Sequence, residues 1–202
     1  MTALRLMVYD RTCRGRGPLP GLTLTWKVGG WLYRRWGRLD AVYGAASWAE
    51  ALHWLASFRG GQKIGEIQFW GHGNWGCAKI AGESLDVNIL DSDDPRHGDL
   101  DNVRRRLNPN SLWWFRTCET FGRQAGHEFA KRFADYLDSR VAGHTYVIHW
   151  AQSGLHSIGP GQTPRWSTQE GVHADGRRRG LWSSFSSPNT VSCLHGTIPE
   201  GW

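Results

Sequence analysis

Two residues of this chain have the types needed for nucleophilic catalysis, and both follow apolar runs. Cys118 ends the run Leu112–Cys118 (LWWFRTC), and His72 stands just past Ile64–Trp70 (IGEIQFW). A thiol becomes a strong nucleophile when a neighbouring base takes its proton, and imidazole titrates near enough to neutral pH to be that base. Each residue alone has a plainer explanation. A cysteine after a strand is commonly a small apolar core residue, and a histidine between Gly71 and Gly73 is commonly a turn residue. Their conjunction, 46 positions apart and each at the end of a strand-like run, favours chemistry. The flanking glycines would let the backbone turn sharply at His72 and approach a substrate closely.

The elements that would position the pair can be read from periodicity. Leu4–Tyr9 is a nearly continuous apolar run, as expected of a strand buried on both faces. It leads through Asp10 into a basic, Gly/Pro-rich loop at residues 11–21. Leu22, Leu24, Trp26 and Val28 alternate with polar residues, which predicts a half-buried strand. Residues 29–37 fit helix or strand equally, and Ala41–Tyr43 reads as a short strand. Ser47 and Glu50 form a capping box opening a helix, with Trp48, Leu52, Leu55 and Phe58 as its apolar face and Gly60 as its stop. Cys77–Ile80 and Ser84–Val87 suggest a hairpin around Ala81-Gly82, and Asp91–Asp94 a loop. Asp99–Leu107 predicts a helix with Leu100, Val103 and Leu107 inward, stopped at Asn108-Pro109.

A longer helix is expected over residues 122–140, with Ala125, Phe129, Phe133 and Leu137 on one face. Here the Cys118 thiolate would lie near the positive end of the helix dipole. Thr145–Trp150 (TYVIHW) is the last clear strand. Strands alternating with helices imply an α/β fold, with a mostly parallel central sheet and helices on both faces. In such sheets reactive groups gather at the carboxyl ends of strands, which would bring His72 and Cys118 to one edge.

These segments carry a resemblance. The pieces IQFWGHG, LWWFRTC and GRQAGHEFAKRFADYL before VAGHTYVIHW resemble the caspase-like (clan CD) cysteine peptidases, the group of caspases, metacaspases, legumain, gingipains and separase. The pattern is most similar to bacterial caspase-like modules, and it includes a histidine about 50 residues before the cysteine. The chain lacks the caspase Q-A-C-x-G string, having Arg116-Thr117-Cys118-Glu119-Thr120. The resemblance implies a three-layer caspase-like fold, with a catalytic core at 1–155. It leaves 156–202 as an irregular C-terminal extension packing on that core as a lid or pocket wall.

The resemblance also implies roles. Cys118 and His72 would form a catalytic dyad, and the backbone N–H groups of Gly73 and Cys118 an oxyanion hole, with no cofactor and no metal. The residue two before the nucleophile lines the pocket for the side chain preceding the cut. Arg116 there would pair with a carboxylate, predicting an acidic residue before the cut. Asp10 and Arg11 follow the first strand, where Arg14 and Arg16 continue a basic loop, and they are further substrate-binding candidates. Trp150, Gln152 and Ser153 follow the last strand, where the family holds extended peptide. Two alternatives stay open: Arg116 bonding Asp10 or Glu119 internally, and Trp150 serving as core packing.

Composition narrows the remaining choices. The chain has 202 residues, a formal net charge of +6 and thirteen tryptophans. That charge favours acidic partners. Yet no nucleic-acid-binding motif is present, and the runs Arg104–Arg106 and Arg177–Arg179 read as solvated surface, the latter also as a processing site. Met1–Asp10 has no secretory hydrophobic region, and no run could span a bilayer. Cys13, Cys77, Cys118 and Cys193 form no C-x-x-C pair, which suits a reducing cytoplasm. Neither His72 with Cys77 nor Cys193 with His195 matches zinc-ligand spacing, and His144, His149, His156 and His173 read as structural or exposed. The partners expected are a protein or peptide substrate and a regulatory protein, without a membrane. The competing classes are a catalytically silent caspase-fold interaction module and a basic nucleic-acid-binding protein.

Overall fold

The computed structural model describes residues 3–15, 21–175, 180–186 and 189. Arg16, Arg177–Arg179, Cys193 and His195 lie outside them. The centre is a six-stranded sheet built from β1 (Leu4–Asp10), β2 (Ala41–Ala45), β3 (Ile64–Trp70), β7 (Leu112–Arg116), β8 (Arg140–His144) and β9 (Leu155–Ile158), in the order β2-β1-β3-β7-β8-β9. All neighbours are parallel except β8 and β9. The protein is therefore α/β with a mostly parallel sheet. The sheet runs to Ile158, three residues past the expected core boundary.

Alternate residues of the central strands serve two different layers. Leu6, Val8, Ile67, Phe69, Trp113 and Phe115 face one core with α2 (Trp48–Ser57), α3 (His97–Arg104) and α4 (Arg123–Leu137). Met7 and Trp70 face the other side, where Tyr33 of α1 (Leu22–Arg35) packs with them. Trp114 lies on that second face too, with Leu112, Ala142 and Leu155.

The predicted strand at residues 22–28 is instead the first half of α1. Joining parallel β1 to parallel β2 needs a crossover, and a helix is the usual solution. The misleading alternation has a different cause, because Leu22, Leu24 and Val28 are exposed. α1 buries only Gly30 and Tyr33, and its glycines lie close to the sheet: a side chain on Gly30 would sit 2.9 Å from Val42, and one on Gly29 would sit 2.6 Å from the Trp70 ring. The glycines cost helix propensity and allow close helix–sheet approach.

The last predicted strand is also displaced. β8 is Arg140–His144, while residues 145–150 form bends and a single bridge between Val147 and Trp182. The expected apolar face of α4 holds for Phe129, Phe133 and Leu137, but Gly126 is buried in place of Ala125. The hairpin forms as β5 (Cys77–Ile80) and β6 (Glu83–Leu85), with Ala81 and Gly82 both at positive φ as its turn requires. A short β4 (His72–Asn74) pairs with β5 and completes a second, antiparallel sheet.

Helix α2 has the capping bond expected, with Ser47 accepting from the Glu50 N–H. It ends at Phe58, with Arg59 rather than Gly60 in the left-handed conformation. No basic residue lies in its last turn. Arg106 supplies the charge from elsewhere: its buried guanidinium donates to the carbonyls of Leu55, Ala56, Phe58, Arg59 and Gln62. One member of the Arg104–Arg106 run is therefore a helix cap and not solvated surface. Arg106→Ala leaves several carbonyls unmatched and should cost about 3 kcal/mol, or roughly 10 °C in Tm, measurable by thermal denaturation.

Candidate active site

The site is positioned by one strand pairing. In the parallel ladder of β3 and β7, Trp70 stands opposite Arg116. His72 and Cys118 each lie two residues further along, at the carboxyl edge of the sheet. The two segments also touch. A side chain on Gly73 would meet Thr120 Oγ1 at 2.5 Å, the Cys118 carbonyl oxygen at 2.6 Å and Thr117 Cβ at 2.8 Å. All three contacts are to the turn that carries the thiol, so only glycine fits there.

Residues 117–122 form a tight turn in which Glu119 has φ +58. Strain of this kind in a non-glycine residue persists only where surroundings enforce it. Here they do so from three sides. From the small sheet side, Thr120 Oγ1 donates to the Cys77 carbonyl, and Gly76 N–H donates to the Thr120 carbonyl at 3.0 Å. From beyond β8, the Glu119 N–H donates to the Tyr146 carbonyl at 2.9 Å, and the Phe121 N–H donates to the His144 carbonyl. From the C-terminal part, Trp166 Nε1–H donates to the Phe121 carbonyl, and Gly180 N–H donates to the buried Glu119 carboxylate at 2.5 Å.

The expected dipole effect on Cys118 is not direct. Helix α4 begins at Arg123 with Gly122 as its N-cap, four residues after the thiol, and the macrodipole fades within a turn. The half-buried Cys118 Sγ is directed instead at the Ile148 carbonyl, 3.9 Å away. His72 is exposed, its ring edge-on to Trp26 of α1 at 5.6 Å, and its Nε2 lies 3.3 Å from Cys13 Sγ. Cys13 was not among the candidates from sequence. Nothing in its Gly/Arg-rich neighbourhood signals a contact spanning 59 residues, which exists because the loop after β1 folds back over the end of β3. Thr23 N–H donates to the Cys13 carbonyl and helps hold that loop.

The substrate-binding candidates separate in the structure. Arg116 is 8% exposed and lies on the α1 face of the sheet, with its guanidinium stacked over Trp70 at 3.9 Å and near Trp114 and Tyr33. It donates to Tyr33 Oη at 3.1 Å, to Gln68 Oε1 and to Gln152 Oε1 at 3.3 Å. Gln152 is thus brought to it, and Trp150 stands nearby in sequence at 87% exposure, which removes core packing as the role of that tryptophan. Asp10 and Ser153 turn inward. The Asp10 carboxylate accepts from Thr12 N–H, Thr12 Oγ1–H and Ala81 N–H, pinning the loop after β1 to the hairpin turn. The Ser153 hydroxyl accepts from Ser184 N–H. Arg11 is at the surface, paired with Glu50 at 3.2 Å. Among the described residues no group of three or more His, Cys, Asp or Glu is placed to hold a metal.

Comparison with protein-family models, with curated proteins and with solved structures finds no match.

His144, at the end of β8, is fully buried and donates from Nδ1 to the Ser153 carbonyl. Burial lowers its pKa to about 3, with the nearby Arg116 charge acting in the same direction. The native state therefore keeps His144 neutral where an unfolded chain would protonate it. Stability present above pH 6.5 is lost as pH falls through the interval between 6.5 and about 3, at roughly 1 kcal/mol per pH unit. Urea midpoints at pH 7 and pH 5 should show this slope, and His144→Gln should flatten it.

Proposed function

We propose that this chain is a caspase-like cysteine endopeptidase in which Cys118 is the nucleophile and His72 the base. One observation carries the reading. The β3–β7 register sets both residues two positions past paired strand ends, with Gly73 against the Cys118 carbonyl. Cys118 Sγ would attack the scissile carbonyl, and the N–H groups of Gly73 and Cys118 would receive the oxyanion. His72 would take the thiol proton and pass it to the departing amine, leaving a thioester. It would then deprotonate the water that hydrolyses that thioester. In the resting arrangement both groups hold other partners, Cys13 at the imidazole and the Ile148 carbonyl at the thiol. A peptide bound between the two groups would displace both.

The pocket for the side chain before the cut would be the Arg116 site. Its guanidinium is walled by aromatic faces and donates to Tyr33, Gln68 and Gln152. A substrate carboxylate replacing the 3.3 Å contact to Gln152 would form a charge-assisted pair in a water-poor setting, stronger than the amide contact it displaces. This favours aspartate or glutamate before the cut. Among the described residues no helix is long and apolar enough to cross a membrane.

Two measurements test these assignments. A peptidyl electrophile with an acidic recognition residue should label the parent protein and Cys13→Ser, but not Cys118→Ala. Labelling that disappears with Cys13 and survives loss of Cys118 moves the nucleophile to Cys13. A peptide-library digest should show at least a hundredfold preference, about 3 kcal/mol, for an acidic over a basic residue before the cut, and Arg116→Gln should remove it. A basic preference rejects the role of Arg116.

A further inference from the structure

The solvent side of α1 has the wrong composition for an outer helix of a water-soluble domain. Leu24, Val28, Trp31 and Arg35 recur at spacings of four, three and four, forming one stripe opposite the buried Gly30 and Tyr33. Leu24 is 53% exposed, Val28 48% and Trp31 62%, with Trp36 just past the helix at 65%. Lys27 and Arg34 flank the stripe. From Gly21 to Leu39 the sequence contains no acidic residue. None of Lys27, Arg34 and Arg35 forms an ion pair among the described residues. The next carboxylate, Asp40, is bonded to the Arg5 backbone N–H. Beside the stripe, Tyr9, Lys27, Trp31, Arg34, Arg35 and Val42 line an open depression of about 480 Å³ at the β2 edge of the sheet.

We propose that this face docks on an anionic lipid surface, with Leu24, Val28, Trp31 and Trp36 entering the interface and the three cations meeting phosphate headgroups. Aliphatic and indole side chains beside unpaired cations, with no acid present, are the features of a helix that lies in a membrane interface. The 14-residue helix is too short to span a bilayer, but docking requires no span. The charge decides between occupants. A second copy of this chain would bring three like charges against three, whereas anionic headgroups neutralise them. Exposed leucine and valine fit acyl chains better than they fit a nucleic acid, whose bases stack on aromatic faces. The proposal does not depend on the peptidase reading. If both hold, docking would place the site beside the bilayer, because Trp26 of the same helix touches the His72 ring.

The test is flotation of the full chain with vesicles of phosphatidylcholine alone, or with about one-third phosphatidylserine, a strongly anionic surface. The parent should float only with the anionic vesicles and be released as added salt screens the attraction. Lys27→Gln/Arg34→Gln/Arg35→Gln should weaken partitioning about 100-fold, at about fivefold per charge. Leu24→Ser/Trp31→Ser should weaken it by at least tenfold with the cations intact. All five positions are exposed, so unchanged thermal midpoints should show that the variants fold. Equal flotation with neutral vesicles, or triple-variant flotation equal to the parent's, overturns the proposal. So does salt-sensitive binding of a single-stranded oligonucleotide without vesicle binding. A dimer that Leu24→Ser/Trp31→Ser abolishes, again without vesicle binding, gives the face to a second copy and overturns it as well.

Discussion

The register of β7 against β3 is the constraint on which the site depends. Trp113 and Phe115 point into the core shared with α4, where Phe115 packs edge-on against Phe129 and Phe133. Trp114 and Arg116 therefore point to the opposite face. A slip of one residue would drive the Arg116 guanidinium into that aromatic core and put Phe115 beside Gln68. Burying an unpaired cation costs far more than a displaced ring, so the alternation that builds the core also sets the edge. The placements of His72 and Cys118 follow from it.

Much of the polar chemistry near that edge is structural. The Asp10 carboxylate, the Ser153 hydroxyl and the Glu119 carboxylate each accept backbone N–H groups, and each fixes a loop bordering the site. Loops without internal ladders must place their N–H groups somewhere, and buried side-chain acceptors are the local solution. Arg116 differs in kind. It is a buried cation set among the rings of Trp70, Trp114 and Tyr33 and bonded to the Tyr33 hydroxyl and two side-chain amides.

Legibility in the sequence followed the range of the interactions involved. β1 and β7 could be read because strands buried on both faces give nearly continuous apolar runs, and α2 because its cap lies within four residues. The hairpin was readable because positive φ at Ala81-Gly82 is a local property. α1 was not, since its buried residues are Gly30 and Tyr33 while Leu22 and Leu24 face outward, inverting the usual pattern. β8 was missed because Arg140–His144 has a weaker apolar signal than the bent segment after it. His72 and Cys118 could be paired from strand-end logic, whereas the Cys13 contact depends on how a Gly/Pro-rich loop folds back. Periodicity carries no information about that. Arg106 was similarly hidden, because its role depends on the end of a helix almost fifty residues earlier.

The hydrogen bond from Gly180 to Glu119 has a consequence for what holds the turn at Cys118. Glu119 sits in a strained conformation, and its carboxylate is engaged by a backbone group 61 residues further along the chain. Leu181 and Ser183 bond Val147 in the same region, adding further long-range contacts. A chain cleaved after residue 170 would keep its whole sheet, which ends at Ile158, but lose these fastenings. The shape of the turn is thus controlled from outside the sheet that carries it, and a single cut far from Cys118 would loosen it while leaving the central strands intact.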